Sequence, residues 1–477
     1  MKSAVSLSLS NLLPQPHRKA LLCALYALLP LALLLRFSLS PPTNQFRHRF
    51  PNPKIHLPRS HKPISPYPIK EDSEIHLPAI QKPVSPDPIK EDAKIAISSV
   101  QIPISPHPTK EAETPSCDIF DGKWVADPSP PLYNGTTCST IKENQNCMAN
   151  GRPDTGYLHW KWLPSDGCSL PKFNPSGFLS LFQNKNLAFV GDSMSRNQLE
   201  SLLCLLSSFS PSPQLLYSDT EKKFRRWRFN SHNLTVSVYW SPFLVHGDEK
   251  SSAFNYNKLY LHKVDEKWLK ELDQMDMVVI SAGHWFLHPA LYTERDELLG
   301  CHYCPDLNLT EVGFYGVYRK ALMAALKGIA ERESFKGLTV LRTFSPAHFE
   351  GEWDKAGACP KKAPFEERER ALEGMDKEMR EIQVEEAESV KKKWPEFGKR
   401  LLVLDVTKLA LMRPDGHPGP YMNPFPFING GEKRERVQND CVHWCLPGPV
   451  DTWNRLLLEM VTRYQKSRKP HYPANVP

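Results

Sequence analysis

An apolar run at residues 187–190 ends in Gly191-Asp192-Ser193, and a helical pattern over 196–206 follows at once. The spacing predicts a strand, a tight turn and a helix, with a serine at the turn. This constrains the fold more than any other feature of the chain. The rhythm continues downstream, with strands expected at 235–239, 277–281, 338–343 and 401–406 and helices at 314–332, 365–393 and 450–465. Strands alternating with helices imply an α/β fold, with three α/β/α layers around a mainly parallel sheet. The 365–393 stretch is highly charged and reads as a solvated surface helix.

The 477-residue chain is too rich in proline to be globular throughout. Sixteen of its 45 prolines fall between Pro41 and Pro115. There, Lys62-Pro-Ile-Ser-Pro-Tyr-Pro-Ile-Lys-Glu-Asp72 recurs from Lys82 to Asp92 and returns, weakened, from Ile102. Ser-Pro-X-Pro opposes both helix and ladder pairing, so the repeat reads as a semi-rigid polyproline-type spacer and not as a solenoid. Residues 20–35 are uncharged and apolar. As a helix they rise about 24 Å, and extension to residue 39 with Arg36 snorkelling spans a thin bilayer. Pro41-Pro42 would abut a cut after Ser40, so a signal anchor is expected in place of a cleaved signal peptide.

Ten of the eleven cysteines lie beyond this run. An even number there fits an oxidising compartment, as do the sequons at Asn134, Asn233 and Asn308. The expected topology is type II, with the C-terminal bulk luminal. Cys301-His-Tyr-Cys304 and Cys441-Val-His443-Trp-Cys445 have zinc-like spacing, but disulfides are the expected use in that setting and no metal is expected. The net charge of +7 comes without a basic stripe interleaved with aromatics, which speaks against nucleic acid. The expected organisation is a cytosolic tail (1–19), an anchor (20–39), a stem (40–115), an irregular disulfide-tied subdomain (116–183), a catalytic domain (184–467) and a tail (468–477).

Ser193 has two readings, a helix cap or a nucleophile whose N–H faces an oxyanion. Asp440-Cys-Val-His443, in a loop before the last helix, bears on the choice. Asp and His three apart let the carboxylate take the imidazole Nδ1–H and leave Nε2 free as a base. Ser…Asp…His is one of the chain orders in which such triads arise. Asp415-Gly-His417 is less well placed for mutual bonding and reads as a shaped loop beside the site. His284 lies just past a strand end, as a site-lining or a structural histidine. Trp285 and Trp444 either stack on sugar rings or pack in the core.

Gly191-Asp-Ser193-Met-Ser-Arg-Asn-Gln, Gly283-His-Trp-Phe, Arg413-Pro-Asp-Gly-His-Pro-Gly, Asp440-Cys-Val-His443-Trp-Cys-Leu-Pro-Gly and Asn150-Gly-Arg-Pro-Asp154 resemble the plant trichome birefringence-like family of Golgi polysaccharide O-acetyltransferases. The resemblance covers about residues 115–467. It implies an SGNH/GDSL-hydrolase-like core in which Ser193 accepts acetyl, His443 acts as base and then acid, and Asp440 orients it. Gly191 and Asp192 complete the nucleophile turn. The expected oxyanion donors are the N–H groups of Ser193 and Gly283. Many members carry Asn-Thr-Gly-His-Trp where this chain has Ser281-Ala-Gly-His284-Trp285, so Arg196 or Asn197 is expected to stand in for the missing amide. The resemblance further implies disulfides Cys117–Cys168, Cys138–Cys204, Cys147–Cys445 and Cys359–Cys441, leaving Cys301 and Cys304 to each other. The acceptor it favours is xyloglucan, on galactosyl side chains, with mannan and xylan as alternatives. No bound cofactor is expected beyond an acetyl donor, acetyl-CoA or another carrier, with donor-supply proteins as partners at the Golgi membrane. An esterase on the same triad and a non-catalytic wall-polysaccharide binder are the rival functions.

Overall fold

The computed structural model describes residues 117–165, 167–252, 254–355, 357–427 and 436–468. The expected anchor and stem lie outside these residues. Among the described residues no helix is long and apolar enough to cross a membrane.

Thirteen strands are described. β1 (Gly122–Ala126) and β2 (Trp160–Pro164) form an antiparallel pair in the cysteine-rich region. β3 (Asn186–Gly191), β4 (Gln214–Ser218), β5 (Phe224–Phe229) and β6 (Leu234–Trp240) follow, then β7 (Val245–Asp248), β8 (Asn257–Val264) and β9 (Met277–Ser281). The rest are β10 (Ala290–Glu294), β11 (Glu297–His302), β12 (Leu338–Arg342) and β13 (Leu401–Leu404). The longer helices are α1 (Pro175–Leu181), α2 (Ser193–Ser207), α3 (Tyr315–Ala330), α4 (Gly374–Lys393) and α5 (Val450–Arg468).

The main sheet has seven strands in the order β13-β12-β9-β3-β6-β5-β4. The first five are parallel, and β5 and β4 extend the sheet antiparallel at one edge. Side chains alternate along β3 between two buried layers. Leu187 and Phe189 join Leu199, Leu202 and Leu206 of α2 and Trp453, Leu456 and Leu457 of α5. Ala188 and Val190 join Leu322, Ala325 and Ile329 of α3 and Ala387 and Val390 of α4. Burial on both faces is why the run is apolar throughout, and it yields the three layers expected.

Three features depart from the sequence reading. The sheet is mixed, because the β4–β5–β6 meander adds antiparallel strands. A second, four-stranded sheet, β11-β10-β8-β7, packs beside α3. The helix expected over 365–393 begins only at Gly374, which has φ 56°. The charged run before it is exposed and non-helical, whereas α4 buries Met379, Ile382, Gln383, Glu386, Ala387 and Val390. That helix is a covering layer of the sandwich, not a solvated rod.

Candidate active site

β3 delivers the nucleophile turn at the carboxyl end of the parallel strands, where sites gather in open α/β sheets. Gly191 has φ 150°, and a Cβ there would collide with the Ser281 carbonyl oxygen on β9. Glycine is what allows the two strands to approach so closely. Asp192 then caps α2, its Oδ1 accepting from the Met194 N–H at 3.0 Å. Its Oδ2 accepts from the N–H groups of Gly283 and His284 at 3.0 and 3.1 Å. Ser193 follows as the first residue of the helix, half-buried, its own N–H free of any intrahelical partner.

The Asp192 carboxyl is raised by burial, against the Arg342 charge and three backbone donors. Arg342 closes β12 and is itself buried, which brings its guanidinium down to about 10 despite the opposing pull of Asp192. It donates to Ser281 Oγ and, at 3.1 Å, to the Thr343 carbonyl. These bonds tie the ends of β9 and β12 together beneath the turn.

The Asp440–His443 pair is well formed. His443 Nδ1 donates to Asp440 Oδ2 at 2.7 Å, and Asp440 Oδ1 accepts from the Val442 and His443 N–H groups at 3.0 and 2.8 Å. Burial would raise the Asp440 carboxyl, but the His443 charge and these bonds hold it well below the usual carboxylate range. Burial likewise opposes charge on His443, yet the Asp440 carboxylate outweighs it and lifts the imidazole above its ordinary value. The Nδ1 bond fixes the tautomer and leaves the Nε2 lone pair for base chemistry.

The next residue ties this pair to the nucleophile helix. The Trp444 N–H donates to Asn197 Oδ1 at 2.8 Å. Asn197 Nδ2 donates to the Trp444 carbonyl at 3.2 Å and to Gln145 Oε1 at 3.1 Å. Asn197 stands one turn beyond Ser193, on the same side of α2. Among the described residues no hydrogen bond joins Ser193 Oγ to His443, a contact that commonly tightens only when substrate binds.

Several expected roles change. The Gly283 N–H is committed to Asp192, so it is a strut and not an oxyanion donor. The Asn197 amide is spent on Trp444 and Gln145. Arg196 lies 5.4 Å over the Trp240 ring and donates to the Lys222 carbonyl at 3.1 Å, while its buried Nε has no partner among the described residues. Of the donors expected, Ser193 N–H and Arg196 Nε are the ones left over. His284 is buried and stacks on Phe344, and burial, with the charges of His443 and Arg342, pushes it down to about 3. Its Nε2 is unpartnered among the described residues. Trp444 is fully buried and belongs to the core, whereas Trp285 is half-buried and meets Trp240 edge-on at 5.1 Å.

The structure pairs Cys117–Cys168, Cys138–Cys204, Cys147–Cys445, Cys359–Cys441 and Cys301–Cys304. Two of these bracket the Asp440–His443 loop, and Cys138–Cys204 pins α2 to the cysteine-rich region. Asn134, Asn233 and Asn308 lie in surface segments.

Residues 170–460 match the PC-Esterase model, a GDSL/SGNH-like acyl-esterase family found in Pmr5 and Cas1p, and residues 115–169 match the PMR5 N-terminal domain. The chain is 61% identical over 359 residues to xyloglucan O-acetyltransferase 1 of Populus trichocarpa, covering 74% of this chain and 83% of that one. It is 55% identical over 357 residues to xyloglucan O-acetyltransferase 1 of Arabidopsis thaliana, covering 74% and 82%. Protein trichome birefringence-like 25 of Arabidopsis thaliana is 45% identical over 360 residues, covering 74% and 78%. The chain belongs to the trichome birefringence-like family.

Sequence reasoning missed the residues that hold this family's two motif loops together. Arg152 donates to the His417 and Asp415 carbonyls, each at 2.8 Å, and pairs with Asp154. Arg413 grips Asp415 through a bidentate pair buried to 1% and 0% exposure, so Asp415 is spoken for and does not bond His417. Gln145 accepts from Asn197 and, through its carbonyl, from the Leu446 N–H at 2.9 Å. The signal for Arg152 lay in Asn150-Gly-Arg-Pro-Asp154. Gln145 carried none.

Proposed function

We propose that this chain is a xyloglucan O-acetyltransferase working through an acetyl-serine. The observation that carries the reading is the 2.7 Å Asp440–His443 bond, laced through Trp444 and Asn197 to the helix turn that bears Ser193. The names of relatives 61% and 55% identical to this chain supply the acceptor class.

In the first half-reaction Ser193 Oγ attacks the acetyl carbonyl carbon as its proton passes to His443 Nε2. The tetrahedral oxyanion faces the Ser193 N–H at the start of α2, with the unpartnered Nε of Arg196 on the same helix. The donor's leaving group departs with the proton from His443. In the second half-reaction a sugar hydroxyl gives its proton to His443 as its oxygen attacks the acetyl-serine carbonyl, and His443 returns that proton to Ser193 Oγ as the acyl–oxygen bond breaks. Half-buried Trp240 and Trp285 offer a platform for a sugar ring beside the turn.

The location we propose is the Golgi lumen, with residues 20–39 as a type II anchor and 40–115 as a stem. The paired cysteines and surface sequons support an oxidising, glycosylating compartment. The acetyl donor is an activated acyl carrier, acetyl-CoA or another.

The test incubates purified protein with an acetyl donor and xyloglucan, mannan or xylan oligosaccharides, read by mass spectrometry. Acetyl transfer to xyloglucan is expected, with Ser193→Ala lowering it by about 10³-fold or more while the fold persists. Acetate release at a rate indifferent to acceptor would show an esterase instead.

A further inference from the structure

Arg413-Pro-Asp-Gly-His417-Pro-Gly holds a histidine that the proposed reaction does not use. His417 and His348 are both buried, and they make three close contacts in a row. His417 Nδ1 lies 2.7 Å from the His443 carbonyl oxygen. His417 Nε2 lies 2.7 Å from His348 Nδ1. His348 Nε2 lies 2.8 Å from the Leu411 carbonyl oxygen. The two outer contacts end on carbonyls, which only accept, so each needs an N–H from the ring that meets it. The middle contact joins two ring nitrogens and needs a proton of its own. Two neutral imidazoles carry two N–H protons between them, and three contacts require three. Any neutral arrangement sets two lone pairs face to face at under 3 Å.

We propose that His348 and His417 share one extra proton, and that this charged pair positions the catalytic loop by holding the carbonyl of His443. Aromatic and charged neighbours act on this proton in both directions. His417 stacks on Trp444 at 4.1 Å, and His348 meets the same indole edge-on. Asp440 from the catalytic loop and Asp415 from the neighbouring turn favour the charge. Arg152 from the cysteine-rich region and Arg370 from the segment before α4 oppose it. His443 bears on the pair through its carbonyl, and Arg413 is neutralised by Asp415. Burial drives each ring towards neutrality, and any charge on His348 works further against His417. Burial opposes the first extra proton as well as a second; what favours the first is the middle contact, which has no other proton to fill it, and the two rings titrate as a unit.

The sign follows from the proton count. With the extra proton bound, all three contacts are satisfied. As pH rises through the pair's ionisation, one of the three contacts is lost, and the row that ends on the His443 carbonyl is no longer braced through to Leu411. Catalysis, on the reading that His443 is the base, then falls on the alkaline side through groups that never touch substrate. His348→Gln puts a non-titrating amide in place of one ring and removes that dependence.

The test uses the full-length protein labelled with ring-15N histidine, the pair being assigned by comparison with His348→Gln. Near neutral pH the expected spectrum shows three protonated ring nitrogens over the two imidazoles, falling to two as pH rises. Two protonated nitrogens at every pH from about 5 to about 9 would overturn the proposal. In parallel, the alkaline limb of the pH–kcat profile is expected to disappear in His348→Gln, with the acid limb kept. An alkaline limb unmoved by the substitution would also overturn it. The proton count needs no turnover, so a protein with three ring protons and no acyl transfer would sink the proposed reaction and leave the dyad standing.

Discussion

Asp440 does two things to His443 that have opposite signs in an assay. It fixes the tautomer that leaves Nε2 basic, and it lifts the imidazole's ionisation above the ordinary histidine value against the pull of burial. On the proposed reading the base works only when Nε2 is unprotonated, so the acid limb of the pH–rate profile is expected above ordinary histidine. Asp440→Asn keeps the shape and removes the charge. Its kcat is expected to fall by about 10²- to 10⁴-fold, and the acid limb of the residual rate to move to lower pH. A limb that stays in place would assign it to another group. At this scale the sequence was readable for the Asp440–His443 bond, which forms within one segment, and for the place of Ser193 at a strand–helix turn. It was unreadable for Gly283 and Asn197. Their hydrogen bonds go to Asp192, Trp444 and Gln145, distant in the chain, and which N–H is left free depends on those partners.

Among elements, β3 and β9 carry the tightest requirement. Gly191→Ala sets a Cβ against the Ser281 carbonyl in a backbone conformation that L side chains rarely adopt. We expect it to destabilise the protein by about 2–4 kcal/mol, read by denaturant unfolding, with any surviving activity low because Ser193 follows two residues on. The parallel strands were legible because burial on both faces writes a continuous apolar run. The second sheet was not. β10 and β11 turn through Arg295 and Asp296, both at positive φ, where an Asn-Gly pair would have announced a hairpin. β4 is fully exposed at the sheet edge and has no buried face to impose a pattern. The start of α4 was misplaced because the charged run before Gly374 suits a helix by propensity but is exposed and has no apolar face to bury.

At the scale of the molecule, the cysteine-rich region and the α/β core are one working unit. The Trp444 ring sits in the core with Trp453, and its loop is bonded to Cys147, Gln145 and Asn197 at once. Replacing Cys147 and Cys445 together by serine is expected to lower stability by about 2–5 kcal/mol. It should lower kcat by a larger factor than Cys117→Ser with Cys168→Ser, whose bridge lies away from the loop. Equal losses in the two double variants would remove the loop from the argument.

Cys147 and Cys445 are 298 residues apart in sequence. Ser193 is therefore synthesised well before Asp440 and His443. On the reading that these activate it, a chain truncated between them is expected to carry an unactivated alcohol. On the proposed reading, reactivity needs a segment made long after Ser193 and a bridge that only an oxidant can close, so the order of synthesis and the compartment both bear on activation.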